Sequence, residues 1–198
     1  SAALEHHLIK PEQKFNAEDG KYVVSYAGGK SRPIIDTHEY GWITFQEAME
    51  LSSNIVMVKA SDIIGNARFY RMERAYGFGM TTNIEYPGEV KGVLSKPSTW
   101  SGLTLNSMAY GYEVQTTPIQ ITAAYCAVAN KGILMKPVLF KKETDAMGIT
   151  VRENRSEQIR RVISEETAET MKNFLEGVVD HGTGKQAIIP GMKIAGKT

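Results

Sequence analysis

Two helix signals meet at Ser52-Ser53-Asn54 with no residue left over for a linker. Thr44 offers a side-chain oxygen as an N-cap, and Glu47 three residues on completes a capping box, so a helix is expected from Phe45 to Leu51. A second runs from Ile55 to Ile64, apolar enough to predict burial almost all round. A third, from Ala67 to Tyr76, follows Gly65-Asn66 and stops at Gly77-Phe78-Gly79. A corner this tight can point a hydroxyl and a carboxamide, two residues apart, out of the helical layer into one cleft.

The rest of the chain alternates short elements with glycine and proline breaks. Residues 1–9 read as the tail of a helix stopped before Pro11. Lys21 to Tyr26 and Arg32 to Ile35 read as a hairpin turned by Gly28-Gly29. Thr81 to Trp100, with Pro87-Gly88, Gly92 and Pro97, reads as irregular with short strands. Thr116-Thr117-Pro118 caps a helix reaching Asn130, with Cys126 expected as a small buried hydrophobe on its apolar face. Residues 136–163 read as two strands around Met147-Gly148. A last helix starts at Ser164 and keeps Ala168, Met171, Leu175 and Val178 at helical spacing. Asp180-His181-Gly182-Thr183-Gly184 breaks it, and Met192 to Gly196 alternates as a strand that ends in Lys197-Thr198. No repeat or linker divides the 198 residues, so one domain, or most of one, is expected.

Composition excludes several classes. The formal charge is +1 from 23 basic and 22 acidic residues, interspersed, which leaves no electrostatic footprint for nucleic acid. No apolar run is long enough for a membrane helix. A single cysteine rules out an intrachain disulfide framework. The four histidines lack ligand spacing, so neither metal nor cofactor is expected.

Chemistry is concentrated at the corner and at the last strand. A serine hydroxyl can relay a proton between a nearby amine and a leaving group, and a carboxamide can donate to a substrate carbonyl while accepting from a lysine. Ser and Asn also serve as plain helix caps, so Ser52 and Asn54 alone carry either reading. Lys197 beside a cleft would attract a carboxylate, which the Thr198 hydroxyl could also bind, although a solvated strand end fits the dipeptide as well.

The motifs in their order settle between these readings. Val178-Val179-Asp180-His181-Gly182-Thr183-Gly184 leading to Ala195-Gly196-Lys197-Thr198 resembles the approach to the Lys-Thr-Gly strand of penicillin-binding protein transpeptidase domains. Gly111-Tyr112 followed by Thr116-Thr117-Pro118-Ile119-Gln120 resembles that family's glycine-rich turn and its Thr-Pro-x-Gln helix. Tyr76-Gly77-Phe78-Gly79, Tyr86-Pro87-Gly88-Glu89, and Leu4-Glu5 with Ile9-Lys10-Pro11 are similar to further stretches of it.

The resemblance spans essentially the whole chain and implies the α/β (α+β) penicillin-binding/β-lactamase-like fold. Of that fold, residues 1–198 would supply a partial transpeptidase domain: the helical subdomain, a peripheral hairpin and one central strand. It implies that Ser52 is the proton-shuttling serine, Asn54 the substrate-orienting asparagine, and Lys197 and Thr198 the start of the Lys-Thr-Gly triad, with Asn54 and Thr198 binding substrate. The family's nucleophilic serine stands in a Ser-x-x-Lys, and no such motif occurs in these 198 residues. The implied parent is a class B D,D-transpeptidase of the division or sporulation type, anchored in the cytoplasmic membrane with this domain on its outer side. It would cross-link peptidoglycan stem peptides through a serine acyl-enzyme, bind β-lactams, and work with divisome or other wall-synthesis proteins. The chain alone is expected to be inactive and prone to self-association. Two rivals share the fold: a non-catalytic wall-synthesis scaffold, and a serine β-lactamase or penicillin sensor, which would need a deacylating base such as a glutamate. Glu85 and Glu89 sit in a loop region, but in the Tyr-Pro-Gly-Glu segment that resembles transpeptidases.

Overall fold

A computed structural model of the chain describes residues 1–26 and 29–198. Seven helices and eight strands follow in the order α1 (Ala2–Glu5), β1 (Lys14–Asn16), β2 (Lys21–Tyr26), β3 (Lys30–Ile35), β4 (Trp42–Thr44), α2 (Phe45–Glu50), α3 (Asn54–Ile64), α4 (Asn66–Tyr76), α5 (Thr104–Ala109), α6 (Pro118–Ala129), β5 (Ile133–Met135), β6 (Lys142–Thr144), β7 (Thr150–Glu153), β8 (Gln158–Arg161) and α7 (Glu165–Asp180). The strands form four separate antiparallel pairs, β1 with β4, β2 with β3, β5 with β8, and β6 with β7. The predicted hairpin is β2–β3, with Lys21 opposite Ile35; Gly28 of its expected turn lies outside the described residues.

Helices supply the core. Phe174 of α7, 1% exposed, meets Phe45 of α2 edge-on at 6.1 Å, and Phe45 in turn packs on Phe15 of β1. Ala48, Val56, Ala60, Met171 and Ala168 fill the space around them. Capping closes the polar ends as the residues predict. Thr44 Oγ1 accepts from the Glu47 amide at 3.1 Å while Glu47 Oε2 accepts from the Thr44 amide at 2.7 Å. Ser164 caps α7, and both its amide and its hydroxyl donate to Glu5 Oε2 of α1 at 2.9 Å. Gln120, 1% exposed, completes the α6 capping box and donates through Nε2 to the Met80 and Lys91 carbonyls, stitching the irregular segment to the helix.

Five expectations are corrected. Residues 192–198 form no strand: strand pairing needs a neighbouring ladder of N–H and C=O groups, and the segment instead lies against α7 through a Gly196 amide to Leu175 carbonyl bond at 3.0 Å. The fold's single central strand is therefore not formed among the described residues. Cys126 is exposed rather than buried. Helix α6 is apolar on every side, so periodicity selects no face, and Gln120 and Ala127 are the residues it buries. Helix α3 is not buried all round either, since Ile63 is 42% exposed and Asp62 faces solvent. Lastly, residues 136–163 hold three strands rather than two, and residues 81–100 hold none beyond an isolated bridge from Val93 to Gln115. No helix among the described residues is long and apolar enough to cross a membrane.

Candidate active site

Helices α2 and α3 abut at Ser52 and Ser53, and the two serines do different work. Ser53 is fully buried and is the N-cap of α3, its Oγ accepting from the Val56 amide at 3.2 Å and donating to Asp36 Oδ2 at 2.6 Å. The other carboxylate oxygen of Asp36, at the end of the hairpin, accepts from the Ile55 amide at 3.1 Å. One buried carboxylate thus ties the hairpin to the corner. Ser52 turns the chain in the left-handed region, at φ +59°, and its partly exposed hydroxyl points away from that anchor.

Three hydroxyls and one amine converge there. Lys197 Nζ donates to Ser52 Oγ at 2.5 Å and to the Thr198 carbonyl at 2.9 Å. Ser52 Oγ lies 3.2 Å from Thr183 Oγ1, which lies 2.6 Å from Thr198 Oγ1. Burial of the half-buried Lys197 holds its amine below the ordinary lysine value, and its two bonds keep it aimed at Ser52. Asn54, the first residue of α3, donates from Nδ2 to the Ile35 carbonyl at 2.9 Å. It opens onto a cavity of about 470 Å³ shared with Arg32, Ile35, Tyr110 and Tyr112. A second cavity, about 250 Å³, reaches Lys197 from the side of Glu73, Tyr125 and Met171.

Ser52 and Lys197, 145 positions apart, therefore meet, and Thr198 joins them through Thr183. Asn54 stands at the same corner but makes no hydrogen bond to Lys197 among the described residues. Thr183 joins the group unanticipated. Its signal in the sequence was a hydroxyl flanked by glycines just past a helix; the Gly182 backbone packs so close that a Cβ there would fall 2.3 Å from the Glu50 carbonyl oxygen. Glu85 and Glu89 are engaged elsewhere. Glu85 takes Arg152 and Asn154 at 3.0 and 2.8 Å, while Glu89 accepts from the Thr82 hydroxyl and amide and the Asn83 amide. Burial pushes the Glu89 carboxyl up, and those bonds more than offset it, leaving it below the usual carboxylate range.

Hydroxyls and a part-buried lysine gathered beside a helix corner can relay a proton, and comparison with known proteins gives the chain a family. The family model for the penicillin binding protein transpeptidase domain matches residues 1–198. Penicillin-binding protein PbpB of Mycolicibacterium smegmatis is 32% identical over all of this chain and 31% of its own length. Stage V sporulation protein D of Bacillus subtilis is 32% identical over 80% of the chain and 25% of its own. Among solved structures, penicillin binding protein 3 of Mycobacterium tuberculosis complexed with ampicillin superposes with a TM-score of 0.86 at 31% identity, over 99% of this chain and 44% of that one. The chain belongs to the penicillin-binding protein transpeptidase family. It spans about a third of the length of the curated relatives it matches.

Proposed function

We propose that the chain contributes the second and third catalytic elements of a peptidoglycan D,D-transpeptidase. The observation carrying this is the bond from Lys197 Nζ to Ser52 Oγ, which couples the helix corner to the segment after α7. In this reading a serine in a Ser-x-x-Lys elsewhere in the protein attacks a D-Ala-D-Ala carbonyl and releases the terminal D-Ala. The Ser52 hydroxyl, polarised by Lys197, passes a proton to the departing amine. Asn54 orients the peptide carbonyl, and Lys197 with Thr198 receives the substrate carboxylate. An acceptor stem-peptide amine then takes the acyl group. The cavity beside Asn54 is the supporting space for the peptide, and a β-lactam would enter the same cleft.

One relative is named for sporulation, which supports a parent of the division or sporulation type, anchored in the cytoplasmic membrane with this domain on its outer side and working with wall-synthesis partners. The β-lactamase reading loses its candidate bases, because Glu85 and Glu89 both close loops away from the corner. The test is a fluorescent penicillin followed by denaturing electrophoresis. This 198-residue chain is expected to stay unlabelled, and the full-length protein to label, with Lys197→Ala and Ser52→Ala each slowing acylation about a hundredfold or more. A labelled band from this chain alone would overturn its inactivity, and an unlabelled full-length protein would favour the scaffold instead.

A further inference from the structure

We propose that Glu50 is a positioning residue for this site: its enclosed carboxylate clamps the end of α7 and the Gly182-Thr183 turn onto the α2–α3 corner, and so sets how Ser52 meets Lys197. The proposal deepens the reading above and rests on it for the importance of that contact.

Glu50 ends α2, two residues before Ser52, yet is only 2% exposed. A carboxylate so enclosed is costly unless paired and hydrogen-bonded. Both oxygens are taken: Oε1 accepts from Gln46 Nε2 at 2.8 Å, and Oε2 from His181 Nε2 at 2.7 Å. Its main-chain carbonyl accepts from the Thr183 amide at 3.2 Å. One residue therefore grips its own helix, the residue capping α7, and the turn beyond. The fit is close. A Cβ at Gly177 would fall 2.2 Å from Glu50 Oε1 and one at Gly182 2.3 Å from the Glu50 carbonyl oxygen, so α7 can approach only through glycines.

The grip leads straight to the chemistry. Thr183, held by Glu50, places Oγ1 against both Ser52 Oγ and Thr198 Oγ1. Lys197, between those partners, donates to Ser52. Among the described residues Glu50 makes no hydrogen bond or ion pair with Lys197 and does not line the cavity beside Asn54. Its influence passes through Thr183.

Deleting the carboxylate, or replacing it by an amide, separates positioning from charge. In Glu50→Ala both acceptor oxygens are lost and the Gln46 and His181 donors lose their partner. In Glu50→Gln the new amide oxygen can accept from His181 Nε2 while Gln46 turns its own oxygen to accept from the new Nε2, so every group stays satisfied. The readout is the pH midpoint for acetylation of the Lys197 amine by acetic anhydride, followed by peptide mass spectrometry on the chain itself. Glu73, which lines the same cavity as Lys197, is unchanged in every variant.

Glu50→Ala is expected to move the Lys197 midpoint upward, toward that of an ordinary lysine, and Glu50→Gln to leave it close to that of the unaltered chain. Ile163→Val, a core change beside Gly132 and away from the corner, is expected to lower stability without moving it. An unmoved midpoint in Glu50→Ala, or an equal shift in Glu50→Gln or in Ile163→Val, would overturn the proposal and leave Glu50 a structural staple. Should Glu50→Ala fail to fold, His181→Ala removes one clamp contact from the exposed side, and an unmoved midpoint there overturns it too. None of these outcomes depends on acylation, which penicillin labelling of the full-length protein decides separately.

Discussion

Neighbouring serines at the corner offer a direct test of how anchor and chemistry are divided. Ser53→Ala removes the N-cap of α3, worth about 1 kcal/mol, and strips a buried carboxylate of a hydrogen bond, worth about 1.5–3 kcal/mol where one partner is charged. With Ser53 fully buried and Asp36 only 6% exposed, water cannot replace what is lost. The expected cost is about 2.5–4 kcal/mol, or a fall in Tm of roughly 5–16 °C for a domain of this size. Ser52→Ala removes a partly exposed hydroxyl whose partners, Lys197 and Thr183, stay within reach of solvent, so about 1 kcal/mol or less is expected. Ser52→Gly should do no worse, because glycine relieves a left-handed backbone that costs other residues about 1 kcal/mol. Urea denaturation with a common m-value measures all three. If Ser52→Ala costs as much as Ser53→Ala, or Ser53→Ala costs under about 1 kcal/mol, the separation of roles is wrong.

Two further outcomes follow from buried polar groups. Gln120→Ala abandons the Met80 and Lys91 carbonyls and the Thr117 amide, for an expected loss of about 3 kcal/mol, and should make the chain cleave faster at Lys91 in limited trypsin digestion; unchanged cleavage would show that the segment is held otherwise. Burial raises the carboxyl of Glu73 from the usual 4.5 to about 7, against a smaller downward pull from the N-terminal ammonium. The folded state then holds the extra proton between those values, so its stability falls as pH rises through that window. The full penalty is at most about 3 kcal/mol and about 1–2 after allowance for partial exposure. Glu73→Gln should therefore stabilise at pH 8 and change little at pH 4, and an equal effect at both would refute the assignment.

What could be read from the residues was what local rules decide. The α2 capping box, the Ser164 cap of α7, and the apolar spacing of Ala168, Met171, Leu175 and Val178 are intrinsic to short stretches, and the structure reproduces them. Ser52 and Lys197 were nominated by chemistry and order, and they meet. The misses are non-local. Cys126 sits on a helix whose pattern has no preferred face, so only the neighbours decide which side is covered. Alternation in residues 192–198 describes a chain able to form a strand, but a strand exists only where a partner runs alongside. Glu50, Asp36 and Thr183 gain their meaning from residues 131, 17 and 131 positions away, in Glu50 to His181, Asp36 to Ser53 and Thr183 to Ser52, and no spacing rule anticipates such pairings.

The left-handed turn at residue 52 also bears on which hydroxyl amino acid can serve there. Threonine would keep the oxygen, but its branched Cβ would crowd a backbone at φ +59° and narrow its rotamers. Cysteine would fit the backbone and surrender the strong donor–acceptor oxygen that Lys197 addresses. The main chain itself thus filters the side chain: at this corner the smallest hydroxyl is selected by geometry before any proton is moved.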